Sequence, residues 1–120
     1  MPLPPMNLDT ALRRTGNNPT LLRELIEIFL EETPDHFRSL RSAIDAGDFS
    51  KIHLFAHSIR GSVSYFGDSD TERAAAAVEK MGKASQADGL EPAYAHLSET
   101  LGRLLQAVSE ATLPPTPDKK

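Results

Sequence analysis

The feature that most constrains the fold is a helical spacing of apolar residues that recurs along almost the whole chain. Apolar side chains return about every three or four residues, which is the period of one face of an α-helix. Four long segments show it, at about residues 19–46, 49–66, 70–87 and 92–108. None shows the alternation of apolar and polar residues that a half-buried strand requires. The spacing therefore predicts an all-α protein, an antiparallel four-helix bundle with a short extra N-terminal helix.

Start and stop signals lie between the predicted helices. Asn18 and Asp48 are suited to cap the first two long helices, because their side chains can accept hydrogen bonds from free backbone N–H groups. Gly67 is well placed to end the second long helix, which should run from about residue 49 to 66. Ser69 and Glu72 have the spacing of a capping box and predict the start of the next helix.

Two prolines set further limits on the helices. Pro34 cannot donate a hydrogen bond to the residue four positions earlier. The sequence Thr33-Pro34 therefore predicts either two helices or one long kinked helix between residues 19 and 46. Pro92 predicts the start of the last helix, since proline is favoured at the first helical position.

The two ends differ in composition from the rest of the chain. Both are rich in proline and lack apolar periodicity, which predicts disordered tails at residues 1–6 and 112–120. Asn7 is expected to cap the short first helix, from Leu8 to Arg14. These signals predict one helical domain over residues 7–111.

Composition excludes several classes of protein. The net charge is −4 and the basic residues are scattered, which argues against a nucleic-acid partner. The chain has no cysteine, so a disulfide framework and a thiolate metal site are excluded. No signal-peptide pattern and no apolar run of roughly 20 residues occurs, so we expect no membrane span. A single cytoplasmic domain is expected, and a monomer is adequate for 120 residues.

The second long helix carries an unusual outer face. His57 lies roughly 150° from the centre of the apolar stripe of that helix. His53 precedes it by one turn, and Arg60, Gly61 and Ser64 follow it on the same side. A glycine inside a helix costs about 1 kcal/mol against alanine, which indicates that something approaches the backbone there. An imidazole beside a guanidinium would suit a phosphoryl group, whose charge the arginine would offset.

The stretch around His57 resembles the signature of histidine-containing phosphotransfer (HPt) domains. It reads His-Ser-Ile-Arg-Gly-Ser from His57, with Phe66-Gly67 four residues on, where the family usually has His-x-Leu-Lys-Gly-Ser and then Leu-Gly. The likeness extends from about residue 8 to 105. Arg60 replaces the commoner lysine and keeps its charge, and Asp68 stands where a small apolar residue is usual. Upstream residues also resemble the family's run into its histidine helix: Phe29-Leu30, Pro34, Leu40, Ala43-Ile44 and Gly47-Asp48.

The resemblance implies a phosphoryl carrier in a multistep His-Asp phosphorelay. His57 would take the group from a receiver-domain aspartate and pass it on, with Arg60, Gly61 and Ser64 shaping the site and His53 at its rim. The partners implied are receiver domains of response regulators and hybrid sensor histidine kinases. The chain itself would not be an enzyme and would need no cofactor, because the receiver supplies the Mg²⁺ and the acidic pocket.

Two other functions stay open on the sequence alone. A helical adaptor could dock on a receiver or sensor kinase without being phosphorylated. His53 and His57 are also four residues apart, a spacing that can hold a metal ion. The usual partner patterns are missing, because no glutamate completes a His-Glu-x-x-His sequence and the other histidines lie in other predicted helices. We therefore expect no metal site, and a metal-binding helical bundle that uses His53 and His57 is left as the third alternative.

Overall fold

The computed structural model describes residues 8–110, which form five α-helices and a short 3₁₀ turn. No strand occurs within this range, and the all-α prediction is confirmed. The helix bounds are α1 Leu8–Arg14, α2 Pro19–Ala46, α3 Phe49–Val63, α4 Ser69–Lys83 and α5 Leu90–Glu110, with the 3₁₀ turn at Ser64–Phe66. Asn7 and the tails at 1–6 and 112–120 lie outside the described residues.

The four long helices form the bundle. Along the described chain α3 packs against both α2 and α4, α4 packs against α5, and α1 covers the 3₁₀ turn. The stripe predicted on the second long helix faces the core, because Ile52, Ala56, Ile59 and Val63 are fully buried on α3. The ring of Phe66 packs at a tilt of 49° against that of Phe29 on α2, with the ring centroids 4.8 Å apart. Since α3 buries this stripe between two neighbours, its opposite face is left for solvent.

Local capping explains where α2 and α3 begin and end. The side chain of Asn18 accepts a hydrogen bond from Leu21 N at 3.1 Å, and that of Asp48 accepts one from Lys51 N at 3.2 Å. Gly47 (φ 68°) adopts the left-handed conformation that stops α2, so the caps predicted at Asn18 and Asp48 are confirmed. The second long helix is shorter than the predicted 49–66: α3 ends at Val63, and the left-handed Gly67 (φ 69°) ends the 3₁₀ turn that follows it.

The helix α2 is continuous through Pro34, so the alternative of two separate helices is wrong. Proline removes one backbone hydrogen bond, but the turns on both sides are anchored in the core by buried side chains. Phe29 and Thr33 precede the proline and Leu40 follows it, all with 4% exposure or less. Packing therefore keeps the helix together where local propensity favours a break.

The start of α4 differs from the predicted capping box. The cap is Asp68, whose buried carboxylate accepts hydrogen bonds from the backbone N–H and the hydroxyl of Thr71. Ser69 is already the first residue of the helix. Asp68, which stands where the resembled family usually has a small apolar residue, is thus the residue that caps the start of α4.

The other bounds of α4 and α5 also need correction. The helix α4 ends at Lys83 and not near residue 87, because Ser85 (φ 53°) is left-handed and its neighbours close a Schellman motif. In that motif Gln86 N donates to the carbonyl of Met81 at 2.9 Å. The helix α5 begins at Leu90, so Pro92 lies within its first turn instead of starting it.

None of the helices between residues 8 and 110 has the length and apolarity needed to cross a lipid bilayer.

Candidate functional site

His57 lies on the outer face of α3, opposite the buried stripe. Its side chain is 59% exposed. The neighbouring apolar residues Ala56 and Ile59 are fully buried, which fixes the rotation of the helix and turns His57 to solvent. The exposed imidazole predicted from the periodicity is therefore present.

A glutamate from the neighbouring helix holds the imidazole. Glu79 on α4 places Oε2 2.8 Å from His57 Nδ1. The same carboxylate accepts a hydrogen bond from Arg60 Nε on Oε1 at 2.5 Å. Glu79 is largely buried, with 14% of its side chain exposed, so its orientation is set by these two partners and by helix packing.

The carboxyl of Glu79 is held in its charged form. Burial disfavours that form, but the hydrogen bonds from Arg60 and His57 and the positive charge of Arg60 outweigh burial and lower the pKa of Glu79. In turn, the hydrogen bond and charge of Glu79 raise the pKa of Arg60. A carboxylate can only accept a hydrogen bond, so His57 Nδ1 carries the proton in this arrangement. In the neutral imidazole, Nε2 on the other side of the ring then keeps a free electron pair.

Two further predicted residues lie on the α4 side of His57. Arg60 Nη2 is 3.4 Å from His57 Nδ1, so the guanidinium is beside the ring, although its Nε is bound to Glu79. His53 Nε2 is 3.6 Å from Glu79 Oε2, and the His53 ring stacks on that of His57 with centroids 6.2 Å apart. One carboxylate therefore gathers His53, His57 and Arg60.

Gly61 and Ser64 have different surroundings from those cationic residues. Gly61 is exposed, and a Cβ added there would meet nothing within 4 Å. The free protein therefore has no packing reason for a glycine at this position. The Ser64 hydroxyl donates to the Gly61 carbonyl at 2.7 Å and so gives a hydrogen bond to a carbonyl group in the last turn of α3.

An apolar surface lies on the α2 side of His57. Leu54, one turn before the histidine, is 56% exposed, and Tyr65 in the 3₁₀ turn is 39% exposed. Ile28 on α2 is 47% exposed. Ile28 and Tyr65 line one shallow cleft between α2 and the end of α3, together with Leu25, Phe29, Glu32, Thr33, Ser62 and Phe66.

Among residues 8–110, no group of three or more histidine, aspartate or glutamate side chains is placed to hold a metal ion. His36 lies away from His57, with its ring 6.3 Å from that of Phe55. His96 is on α5, exposed to solvent.

Glu79 was not predicted from the sequence, because no motif or helical spacing relates it to His57. It is separated from His57 by 22 residues and reaches it only because α4 packs against α3. Its position after Val78, a buried residue, carries a hint, because a polar residue beside the buried stripe lies at the helix interface. That hint does not identify the partner on α3.

The comparisons with known proteins concern the family and the fold of this chain. A model of the family described as Hpt domain matches residues 24–111. The crystal structure of the HPT domain from the Hpt sensor hybrid histidine kinase of Shewanella matches with a TM-score of 0.78, covering 88% of this chain and 92% of that chain. The two sequences are 22% identical, so this likeness concerns the fold. A search among curated proteins returned no match.

Proposed function

Because the chain belongs to the Hpt domain family, a family of phosphorelay carriers, we propose that His57 is the residue that carries the phosphoryl group between receiver aspartates. The observation that carries this assignment is the 2.8 Å contact between His57 Nδ1 and Glu79 Oε2 beneath an exposed ring. It leaves Nε2 as the nucleophilic nitrogen, and neutral imidazole is a competent nucleophile near neutral pH.

The transfer step is a substitution at phosphorus. Nε2 of His57 attacks the phosphorus of a receiver aspartyl phosphate, the new N–P bond forms, and the bond from phosphorus to the aspartate oxygen breaks. The aspartate leaves as a carboxylate. The ring, which keeps its Nδ1 proton, becomes cationic, and the negative charge of Glu79 stabilises it. Transfer to the next receiver reverses these bond changes.

This chain acts in the proposal as a carrier and not as an enzyme. Its own residues bind, orient and stabilise the imidazole, whereas the metal ion and the acidic pocket belong to the receiver. Arg60 would offset part of the phosphoryl charge from its place beside the ring, where Nη2 lies 3.4 Å from His57 Nδ1 while Nε holds Glu79. The chain would work as a monomer in the cytoplasm, with receiver domains and hybrid sensor histidine kinases as partners.

Two features support docking of a receiver over His57. The open backbone at Gly61 gives a partner room to approach closely. The exposed side chains of Leu54, Tyr65 and Ile28 provide apolar area on the same side. The same surface also favours the second candidate function, an adaptor that docks without being phosphorylated.

Phosphoryl transfer from purified phosphorylated receivers tests the proposal. We expect wild-type protein to acquire a label that survives base and is lost in acid, as phosphohistidine does. The variant His57→Gln should bind the receiver and acquire no label. The matched control is His96→Gln, which removes another exposed histidine and should be labelled like wild type. A label that persists in His57→Gln would contradict the assignment of His57, and binding without any labelling of wild type would favour the adaptor.

A further inference from the structure

Gly82 lies at an unusually close approach between α4 and α3. It is buried, and a Cβ added to it would lie 2.6 Å from the backbone N and 3.0 Å from the Cα of His53. A further contact at 3.0 Å would be to the side chain of Ile52. Glycine is thus the one residue type that lets α4 reach the backbone of α3 at this point.

If residue 82 had a side chain, no change of rotamer could preserve the close approach of α4 to α3. Ordinary contacts between heavy atoms lie at about 3.5–4.0 Å, so a methyl group at residue 82 would push the two helix backbones apart by about 1 Å. The atoms it would meet belong to the backbone of His53, which moves only with the helix.

This contact is next to the functional site. Gly82 is one turn after Glu79 on α4, and His53 is one turn before His57 on α3. The same helix pair therefore makes the Gly82–His53 contact and the bond from Glu79 to His57. A separation of about 1 Å would take that bond well beyond the roughly 3.2 Å limit of a hydrogen bond.

Glu79 is held to α3 through both oxygens of its carboxylate. Its Oε1 is held by Arg60 Nε and its Oε2 by His57 Nδ1. Both partners are on α3, so a wider separation of the two helices would lengthen both bonds together.

We propose that Gly82 is a positioning residue for phosphoryl transfer: its missing side chain sets the distance between α4 and α3 at which Glu79 holds the Nδ1–H tautomer of His57. This inference rests on the proposed function of His57, but its first test does not. The tautomer can be observed in the unphosphorylated protein by the ¹⁵N shifts of the imidazole ring.

The variant Gly82→Ala tests the proposal, with Gly102→Ala as its matched control. Gly102 is also inside a helix, but a Cβ there would meet nothing within 4 Å. We expect Gly82→Ala to lose most of the Nδ1–H tautomer and to accept the phosphoryl group about tenfold more slowly, as for loss of a charged hydrogen bond. Gly102→Ala should match wild type in both. An unchanged tautomer in Gly82→Ala, or the same loss in both variants, would overturn the proposal.

Two further variants separate positioning from general damage to the fold. In a Glu79→Ala background, adding Gly82→Ala should slow transfer no further, since the two residues act through the same bond. An additional tenfold loss would overturn the proposal. If Gly82→Ala does not fold, the measurement is made in the Gly102→Ala background, which has higher helix propensity. Failure to fold there too would show a requirement for folding and contradict a positioning role.

If wild-type protein accepts no phosphoryl group while Gly82→Ala still loses the tautomer, the proposed function fails and the positioning of His57 by Gly82 stands. If wild type transfers and the tautomer is insensitive to Gly82→Ala, the positioning role alone fails.

Discussion

The two sides of His57 are built in opposite ways. On the α4 side, His53, Arg60 and Glu79 form a polar cluster, and the helices approach closely at Gly82. On the α2 side, the surface is apolar and open, with no packing constraint on a side chain at Gly61. The polar side holds the imidazole, whereas the apolar side offers area to a partner. Chemistry and docking should therefore be separable by mutation.

The largest expected effect comes from removing the acceptor on the polar side. Glu79→Ala leaves His57 Nδ1 without its partner, and we expect phosphoryl transfer to slow by about 10- to 100-fold, as for loss of a charged hydrogen bond. Rapid-quench measurement at saturating receiver checks the rate. Glu79→Gln is the matched variant, because its amide oxygen can still accept a hydrogen bond from Nδ1–H, and it should lose less. Weaker receiver binding in Glu79→Ala with an unchanged rate would contradict the separation of the two sides.

A smaller effect, on receiver binding, is expected when a side chain is added at Gly61 on the apolar side. Gly61→Ala should stabilise the free protein by about 1 kcal/mol through helix propensity, because its methyl group meets no other atom. The same methyl group should weaken receiver binding by about tenfold, or about 1.4 kcal/mol. Thermal unfolding and titration calorimetry measure the two quantities. Gly102→Ala should gain the stability without the loss of affinity, and equal affinity in both variants would remove the docking role of Gly61.

The cleft between α2 and α3 should contribute a few-fold in affinity. Ile28→Ser replaces an exposed apolar side chain that lines it, and the dissociation constant for the receiver should rise about fivefold, or about 1 kcal/mol. Transfer at saturating receiver should be unchanged. Ala95→Ser, on the exposed surface of α5, is the control and should bind like wild type. A slower rate at saturation in Ile28→Ser would mean that the apolar side also positions the imidazole.

The smallest effect concerns stability in acid. The pKa of Glu79 is lower in the folded protein than its ordinary value, so the unfolded chain binds more protons as the pH falls. The stabilisation from its ion pairs is therefore complete above the ordinary carboxyl pKa and lost as the pH falls through the lower folded value. Urea unfolding should show Glu79→Gln less stable than wild type at pH 7, with the difference shrinking below about pH 4. Glu99→Gln on α5 is the control, and a constant Glu79→Gln difference would contradict the pairing.

Local features of the fold were predictable, because they depend on neighbours in sequence. The caps at Asn18 and Asp48 and the buried stripe around Ile59 follow from spacing alone. The continuity of α2 through Pro34 did not, since it depends on packing from other helices. The carboxylate of Asp68 displaced Ser69 as the cap because it binds Thr71 twice.

The residues of the candidate site fall into the same two groups, those that could be predicted from one helix and those that could not. The exposure of His57 and the openness at Gly61 followed from the face of one helix. Glu79 and Gly82 act across the interface between α3 and α4, where the rotation of one helix against the other decides which residues meet. A single sequence does not specify that rotation, so both residues needed the structure.

The central claim is that His57 carries the phosphoryl group on Nε2 while Glu79 holds Nδ1. It is tested most directly by NMR of the phosphorylated protein with ¹⁵N-labelled histidine, in which coupling to ³¹P identifies the bonded nitrogen. We predict coupling to Nε2 of His57 and a retained Nδ1 proton. Phosphorus bonded to Nδ1, or to any other residue, would contradict the account.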